Sequence, residues 1–380
     1  QIPHGVAVVA DSTWHAMRGL EALEPKFSGG RTVGLDSQTI YETLKRAANN
    51  DITTSEMNDS DVVEAEYEIP YLHHAAMEPI NCTAFVTENF CEMWAPTQNQ
   101  HACMEVAKKV TELPEEKIKI NSMMMGGSFG RRLMDDYVEQ ALLVSKSLKK
   151  PVQVVWSREE DTRHGFYRPA SVSKFRIKVD SEGIPNKWEN QVSQENLAAS
   201  EFFFGPTFGE LNFDPMTIPG RVHDYPIIPK HFYKVDGVDV GHSPVQLGVP
   251  VGPWRAPPNS INVFYTESIM DELAHAAGVD PLEYRLRFLH ESPRHKTILE
   301  QVAKQANWGT KLPKGQGRGV AINDWFPLEG VTTVVAQVAE VSINTRGRVK
   351  INRVDCVIDC GLVVNPDSVV AQIEGGIIMG

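Results

Sequence analysis

Gly126-Gly127-Ser128-Phe129-Gly130-Arg131-Arg132 is the stretch from which the rest of the chain is read. Just upstream, Ile118 to Asn121 alternate like a strand and run into Met123-Met124-Met125. Downstream, Tyr137, Ala141, Val144 and Leu148 recur at helical spacing, forming one apolar face. The predicted local order is strand, glycine-rich turn, helix. Three glycines let a backbone approach a ligand closely, and successive N–H groups in such a turn make a concave anion site. A helix following directly would add its positive N-terminal end, and the two arginines supply charge. The same residues also suit a tight turn carrying an exposed basic pair, because glycine-rich turns are common. No Gly-Lys-Ser/Thr ending is present, so this is not a P-loop, and the six-residue dinucleotide fingerprint is missing too.

Working outward, alternation predicts strands at Glu64–Ile69 and Ser171–Val179. Thr83–Thr87 pairs with Cys91–Trp94, and Pro151–Trp156 is β-like. Val6–Val9 reads as a short buried strand, followed by helices capped by Ser12 or Thr13 and by Asp36 or Ser37. Asn99–Thr111 and Asn262–Ala277 are helical, and Asp280-Pro281 opens another helix with Glu283 completing a capping box. Val331–Ile343 and Arg348–Ile358 read as a hairpin, and Asn365-Pro366-Asp367 starts the last helix. The Pro-, Gly- and aromatic-rich stretch 202–229 has no periodicity, the mark of a functional or subunit-covering loop. The expected class is α+β, mixed and multi-domain. An incomplete N-terminal α/β segment spans 1–60, a first large domain 61–310, and the start of a second domain 311–380.

The chain has 380 residues and a net charge of −12, which argues against nucleic acid as the main partner. No apolar run is long enough to span a membrane. The five cysteines, Cys82, Cys91, Cys103, Cys356 and Cys360, lack the spacing of a disulfide framework or a four-ligand zinc site. They read as small buried hydrophobes, and Met123, Met124 and Met125 as core filling. His73 and His74 are adjacent and so would point to opposite sides of a strand, which argues against chelation. His74 and Glu78 are expected to be structural.

Several further stretches accompany the glycine-rich one. They are His73-His74-Ala75-Ala76-Met77-Glu78-Pro79, Trp94-Ala95-Pro96-Thr97-Gln98, and Trp156-Ser157-Arg158-Glu159-Glu160-Asp161. Later come Gly252-Pro253-Trp254-Arg255, Glu267-Ser268 with Asp271-Glu272-Leu273-Ala274, and Cys356 to Gly361 with Asn365-Pro366-Asp367 and Gln372-Ile373-Glu374-Gly375. In this order they resemble the molybdopterin-binding large subunit of the molybdenum hydroxylases (the xanthine dehydrogenase and aldehyde oxidase family). The likeness is strongest to the isoquinoline 1-oxidoreductase and aldehyde dehydrogenase branch.

The resemblance implies a fold of molybdopterin-binding domains and an oxidoreductase that hydroxylates an N-heteroaromatic or an aldehyde with oxygen from water. By the same resemblance Gly126, Gly127, Ser128, Phe129, Gly130, Arg131, Arg255 and Gln372 contact the molybdopterin, with Phe129 framing the substrate pocket. Read from the residues alone, Arg255 equally suits a surface ion pair and Gln372 a satisfied polar group in an apolar helix. Molybdenum is held by the pterin, so no protein metal ligand is expected. The catalytic base, a glutamate, is expected downstream of Gly380, and a further cofactor loop upstream of Gln1. The chain therefore reads as a piece of a longer polypeptide, inactive alone. Iron–sulfur clusters would sit on a small 2Fe-2S partner subunit, and a cytochrome c subunit is compatible beside it. A periplasmic location is implied, although no leader precedes Ile2 and a cytoplasmic one stays open. Leu133 stands where purine-oxidising relatives carry an acidic residue, which favours a less polar substrate. A non-catalytic cofactor- or partner-binding fragment is the competing reading.

Overall fold

β2 (Asn81–Val86) and β3 (Cys91–Ala95) form an antiparallel hairpin whose residues alternate strictly between buried and half-buried. That period-2 burial is what one face packed on helices requires. From β3 the chain enters α3 (Gln100–Thr111), capped by the Asn99 side chain on Ala102 N, and returns as β4 (Ile118–Ser122), parallel to β3. A parallel pair needs such a crossover, which is why a helix separates these two strands. α4 (Asp136–Leu148) covers the same face, and β5 (Val152–Val155) closes the sheet in the order β4-β3-β2-β5. Cys82, Ala84, Met93, Cys103, Ala107, Tyr137, Ala141 and Leu142 make this core.

The computed structural model describes residues 1–3, 5–50, 61–197, 232–257, 259–325 and 332–380. The predicted loop-rich stretch 202–229 and the start of the Val331 strand lie outside these. A second core is larger. β1 (Val62–Ile69), β6 (Ser171–Val179), β7 (Pro185–Glu195) and β8 (Val238–Val245) form a sheet in that order. Its neighbours are antiparallel except the parallel β7–β8 pair. β9 (Gln316–Trp325), β10 (Thr333–Ile343) and β11 (Val349–Asp359) make a third, antiparallel sheet with β10 central. α6 (Asn259–Ala276), α7 (Pro281–Arg287) and α8 (Pro293–Gln305) pack between these sheets. Phe175, Ile177, Tyr265, Ile269, Leu299, Val320 and Val338 therefore share one apolar cluster.

A buried polar knot ties this second core together. Glu267 accepts hydrogen bonds from Tyr233 OH (3.0 Å), Arg285 Nε (2.9 Å) and Ile322 N (3.1 Å). Arg285, itself fully buried, also donates to Asp271 Oδ1 and to the Glu267 and Pro281 carbonyls. Burial pushes the Glu267 carboxyl above its ordinary value, and the Arg285 guanidinium opposes that shift. One ion pair thus joins α6, α7 and β9.

The order of strands and helices follows the sequence reading, with three corrections. Val6 to Val9 form no strand. An isolated Ile2–Gly5 bridge is the only ladder there among the described residues, and the run packs instead on α1 (Thr13–Leu23), where Val8 sits against Gly19. The helix expected directly after Gly130 begins only at Asp136; a 3-10 turn over Arg131–Leu133 intervenes. Leu148, expected on the buried face of α4, is exposed at its last position. α2 (Ser37–Asn50), α5 (Arg158–His164) and α9 (Pro366–Met379) complete the described helices. None of them is long and apolar enough to cross a membrane.

Candidate functional site

β4 delivers the chain to the glycine-rich turn, and Met123 N still bonds Ala95 O as the strand ends. Gly126 is then gripped on both sides by Glu78. Gly126 N donates to Glu78 Oε2 (2.9 Å), and Glu78 N donates to Gly126 O (3.0 Å). A Cβ on Gly126 would lie 2.5 Å from Glu78 Cβ, so only glycine allows this approach. Gly127 has φ 99°, Phe129 φ 55° and Gly130 φ 106°. Gly130 is pressed against Pro253, whose carbonyl oxygen would lie 1.8 Å from any added Cβ. Gly130 N donates to Gln98 Oε1 (3.2 Å), which gives the Thr97-Gln98 stretch its part in the site.

The turn has a definite polarity. The carbonyl of Gly126 accepts from Glu78 N, that of Gly127 from Arg132 Nε (3.1 Å), that of Ser128 from Arg131 N (2.9 Å), and that of Phe129 from Arg255 N (2.8 Å). The N–H groups of Gly127, Ser128 and Phe129 donate to no group among the described residues. All the acceptors are turned into the protein and three consecutive donors are left out, the arrangement that receives an electron-rich ligand.

The arginines are placed differently from the sequence expectation. Arg131 and Arg132 are 1% and 0% exposed, not a surface pair. Arg131 makes a two-pronged bond to Asp136 (both 2.8 Å) and lies over the rings of Trp156 and Phe166 at 5.3 and 5.4 Å. Its guanidinium is thus committed away from the three outward donors, and its share in the turn is structural. Arg132 points back beneath the loop.

Arg255 and Gln372 do come together with the turn. Arg255 Nη2 donates to Gln372 Oε1 (3.1 Å) and to the Gln372 carbonyl (3.4 Å) on α9. Gly376, one helical turn on, has only Arg255 within 4 Å of where a Cβ would be. Gly126 to Gly130, Arg255 and Gln372, separated by up to hundreds of residues in sequence, form one connected surface. Beneath it His74, 3% exposed, donates from Nε2 to Pro253 O (2.9 Å), since a carbonyl can only accept. Burial pushes its pKa down to about 4, so it is neutral and holds the two loops together.

Met123, Met124 and Met125 are not core filling: all three are exposed, Met124 at 95%, beside an equally exposed Met77. Cys82, Cys91 and Cys103 are buried as expected, but Cys356 and Cys360 are only half-buried. The roles of Gln98, Arg132 and Pro253 were not read from sequence. The signal was available only for Gln98, a polar residue set between a strand and a capped helix.

Donors turned outward from glycine backbone, with an arginine and a glutamine at the rim, fit a pterin phosphate and its polar ring edges. A family model described as molybdopterin cofactor-binding domain matches residues 36–204, and a second of the same description matches 266–380. The chain is 26% identical to the membrane-bound aldehyde dehydrogenase [pyrroloquinoline-quinone] of Gluconacetobacter polyoxogenes, covering 99% of this chain and 52% of that protein. It is also 26% identical to isoquinoline 1-oxidoreductase subunit beta of Brevundimonas diminuta, covering 100% and 50%. The chain thus spans about half the length of the curated relatives it matches. Its fold is that of the aldehyde oxidoreductase from Desulfovibrio gigas, with a TM-score of 0.56 at 16% identity over 76% of this chain and 32% of that one. The chain belongs to the molybdenum hydroxylase family and carries molybdopterin cofactor-binding domains in both its halves.

Proposed function

We propose that the chain is the molybdopterin-binding part of an oxidoreductase that hydroxylates an N-heteroaromatic compound or an aldehyde, with water as the oxygen source. The observation that carries this is the row of outward N–H groups at Gly127, Ser128 and Phe129, fixed between Glu78 on one side and the Arg255–Gln372 pair on the other. When bound, the cofactor supplies the oxidation of a substrate C–H carbon by two electrons. The chain's own residues bind and orient it. The three N–H groups hold an electron-rich edge, and Arg255 sets a fixed positive charge beside it, made directional by its bond to Gln372. Phe129, half-buried with positive φ, presents its ring where the substrate opening would be framed. Arg131 supports the turn from beneath. Leu133 keeps a carboxylate out of that wall, which favours isoquinoline-like or aldehyde substrates over purines. Electrons would leave through iron–sulfur clusters on a small 2Fe-2S subunit, with a cytochrome c subunit as a further acceptor in a periplasmic setting.

The test is to purify the protein from cells that make molybdopterin, then extract and identify the cofactor and assay dye-linked oxidation of isoquinoline and of an aliphatic aldehyde. One molybdopterin per chain together with turnover of either substrate supports the proposal. Cofactor without turnover supports the non-catalytic binding reading. A quinone in place of a pterin, or no cofactor at all, overturns it.

A further inference from the structure

The buried arginine that sequence placed at the ligand does something else. Arg132 is fully buried and spends its donors on backbone oxygens: Nε on Gly127 O (3.1 Å), Nη1 on Pro96 O (3.3 Å), and Nη2 on Glu78 O (3.1 Å) and Pro79 O (3.5 Å). Its charge is balanced by Glu78 Oε2 at 2.8 Å. The same carboxylate oxygen accepts from Gly126 N, and Glu78 Oε1 accepts from Asn81 Nδ2 (3.0 Å). The cation therefore draws the Gly127 carbonyl inward, while the anion draws the Gly126 N–H inward. Each peptide plane is rigid, so fixing the Gly127 carbonyl fixes the Ser128 N–H on the opposite edge of that plane. Holding the Gly126 carbonyl on Glu78 N does the same for Gly127 N–H. The outward polarity of the turn is thus set by the ion pair below it.

We infer that Glu78 and Arg132 are a positioning pair for molybdopterin: they touch no ligand, but they orient the peptide dipoles of residues 126–128 toward it. This rests on the reading of the turn as a molybdopterin contact. Arg132 acts by the fork geometry of its guanidinium and not by charge supplied to the ligand, so a lysine should not replace it.

The experiment uses protein purified from molybdopterin-producing cells, as wild type and as Arg132→Lys, Glu78→Ala and Glu78→Gln. Three quantities are read: pterin per folded chain by fluorescence after oxidation, thermal midpoint, and hydrogen exchange of the peptide covering 123–132. Expected is a loss of pterin per folded chain of about tenfold or more in Arg132→Lys and Glu78→Ala, the factor that about 1.4 kcal/mol represents, with faster exchange in that peptide. Glu78→Gln, which still offers an oxygen to Gly126 N–H, should recover most of the pterin. If Arg132→Lys or Glu78→Ala does not fold, the Glu78→Gln comparison stands on its own: it must show loosened exchange and a measurable pterin deficit in soluble protein. Full pterin in folded Arg132→Lys, or a deficit that merely tracks the unfolded fraction, overturns the inference while leaving the functional reading intact. A wild type that carries no pterin overturns both.

Discussion

Arg255 shows at the level of one side chain how position decides role. Its backbone N–H holds Phe129 O and its guanidinium holds Gln372, so it belongs to the turn and the last helix at once. Arg255→Lys keeps the charge and loses the fork. The expected outcome is a fall in turnover of about tenfold or more with little change in thermal midpoint, since an exposed pair contributes about 0–1 kcal/mol to stability. Unchanged kinetics in the loaded enzyme would return Arg255 to the surface. His74 gives a pH prediction. Its folded pKa, about 4, lies below the ordinary 6.5 because burial disfavours the charged ring. The unfolded chain therefore binds the proton first, and stability present above pH 6.5 is lost as pH falls toward 4. The loss through this histidine is about 3 kcal/mol over that window. Urea midpoints at pH 7 and pH 4.5 should converge between wild type and His74→Gln as the pH drops, and a constant gap would refute the assignment. Single residues were also where sequence was least informative. Gly126, Gly127 and Gly130 announce a close approach by being glycine. Nothing near Arg132 announces that its counter-ion sits 54 residues away at Glu78, and three methionines look identical whether covered or exposed.

At the scale of elements the sequence was far more legible, because periodicity is local information. Ser171–Val179 alternates in sequence and is β6 over the same bounds, and Asp280 caps α7 through Leu282 N and Glu283 N with Pro281 in its first turn. Val6 to Val9 misled because apolar runs this short do not say whether a partner strand exists. What no pattern predicted is the Glu267–Arg285 knot that fastens α6, α7 and β9. Arg285→Met should cost about 3–5 kcal/mol by leaving a buried carboxylate without its cation. Glu267→Leu combined with Arg285→Met should cost clearly less than the two single changes added together. Urea unfolding of the four proteins checks this. Additive losses would mean that the two residues act separately.

The molecule as a whole is two cores with the candidate site on their seam. The turn grows from the β2–β5 sheet, whereas Pro253 and Arg255 arrive on the segment that leads into α6 of the larger core, and Gln372 arrives on α9. A ligand gripping both sides binds the folded arrangement alone, so it adds stability by about 2.7 kcal/mol when present at about a hundred times its Kd. Protein from cells unable to make molybdopterin should therefore melt earlier than loaded protein. Gly130→Ala, which drives a methyl into Pro253 O, should abolish the difference. Equal melting of loaded and cofactor-free protein would place the ligand elsewhere. The exposed methionines beside Gly126 have a different lesson in them. Because the turn addresses its ligand through main chain, the identity of Ser128 is nearly free to drift, whereas the shape around it is not. Such a site can change its clientele at the rim, methionine by methionine, while handing down its grip unaltered.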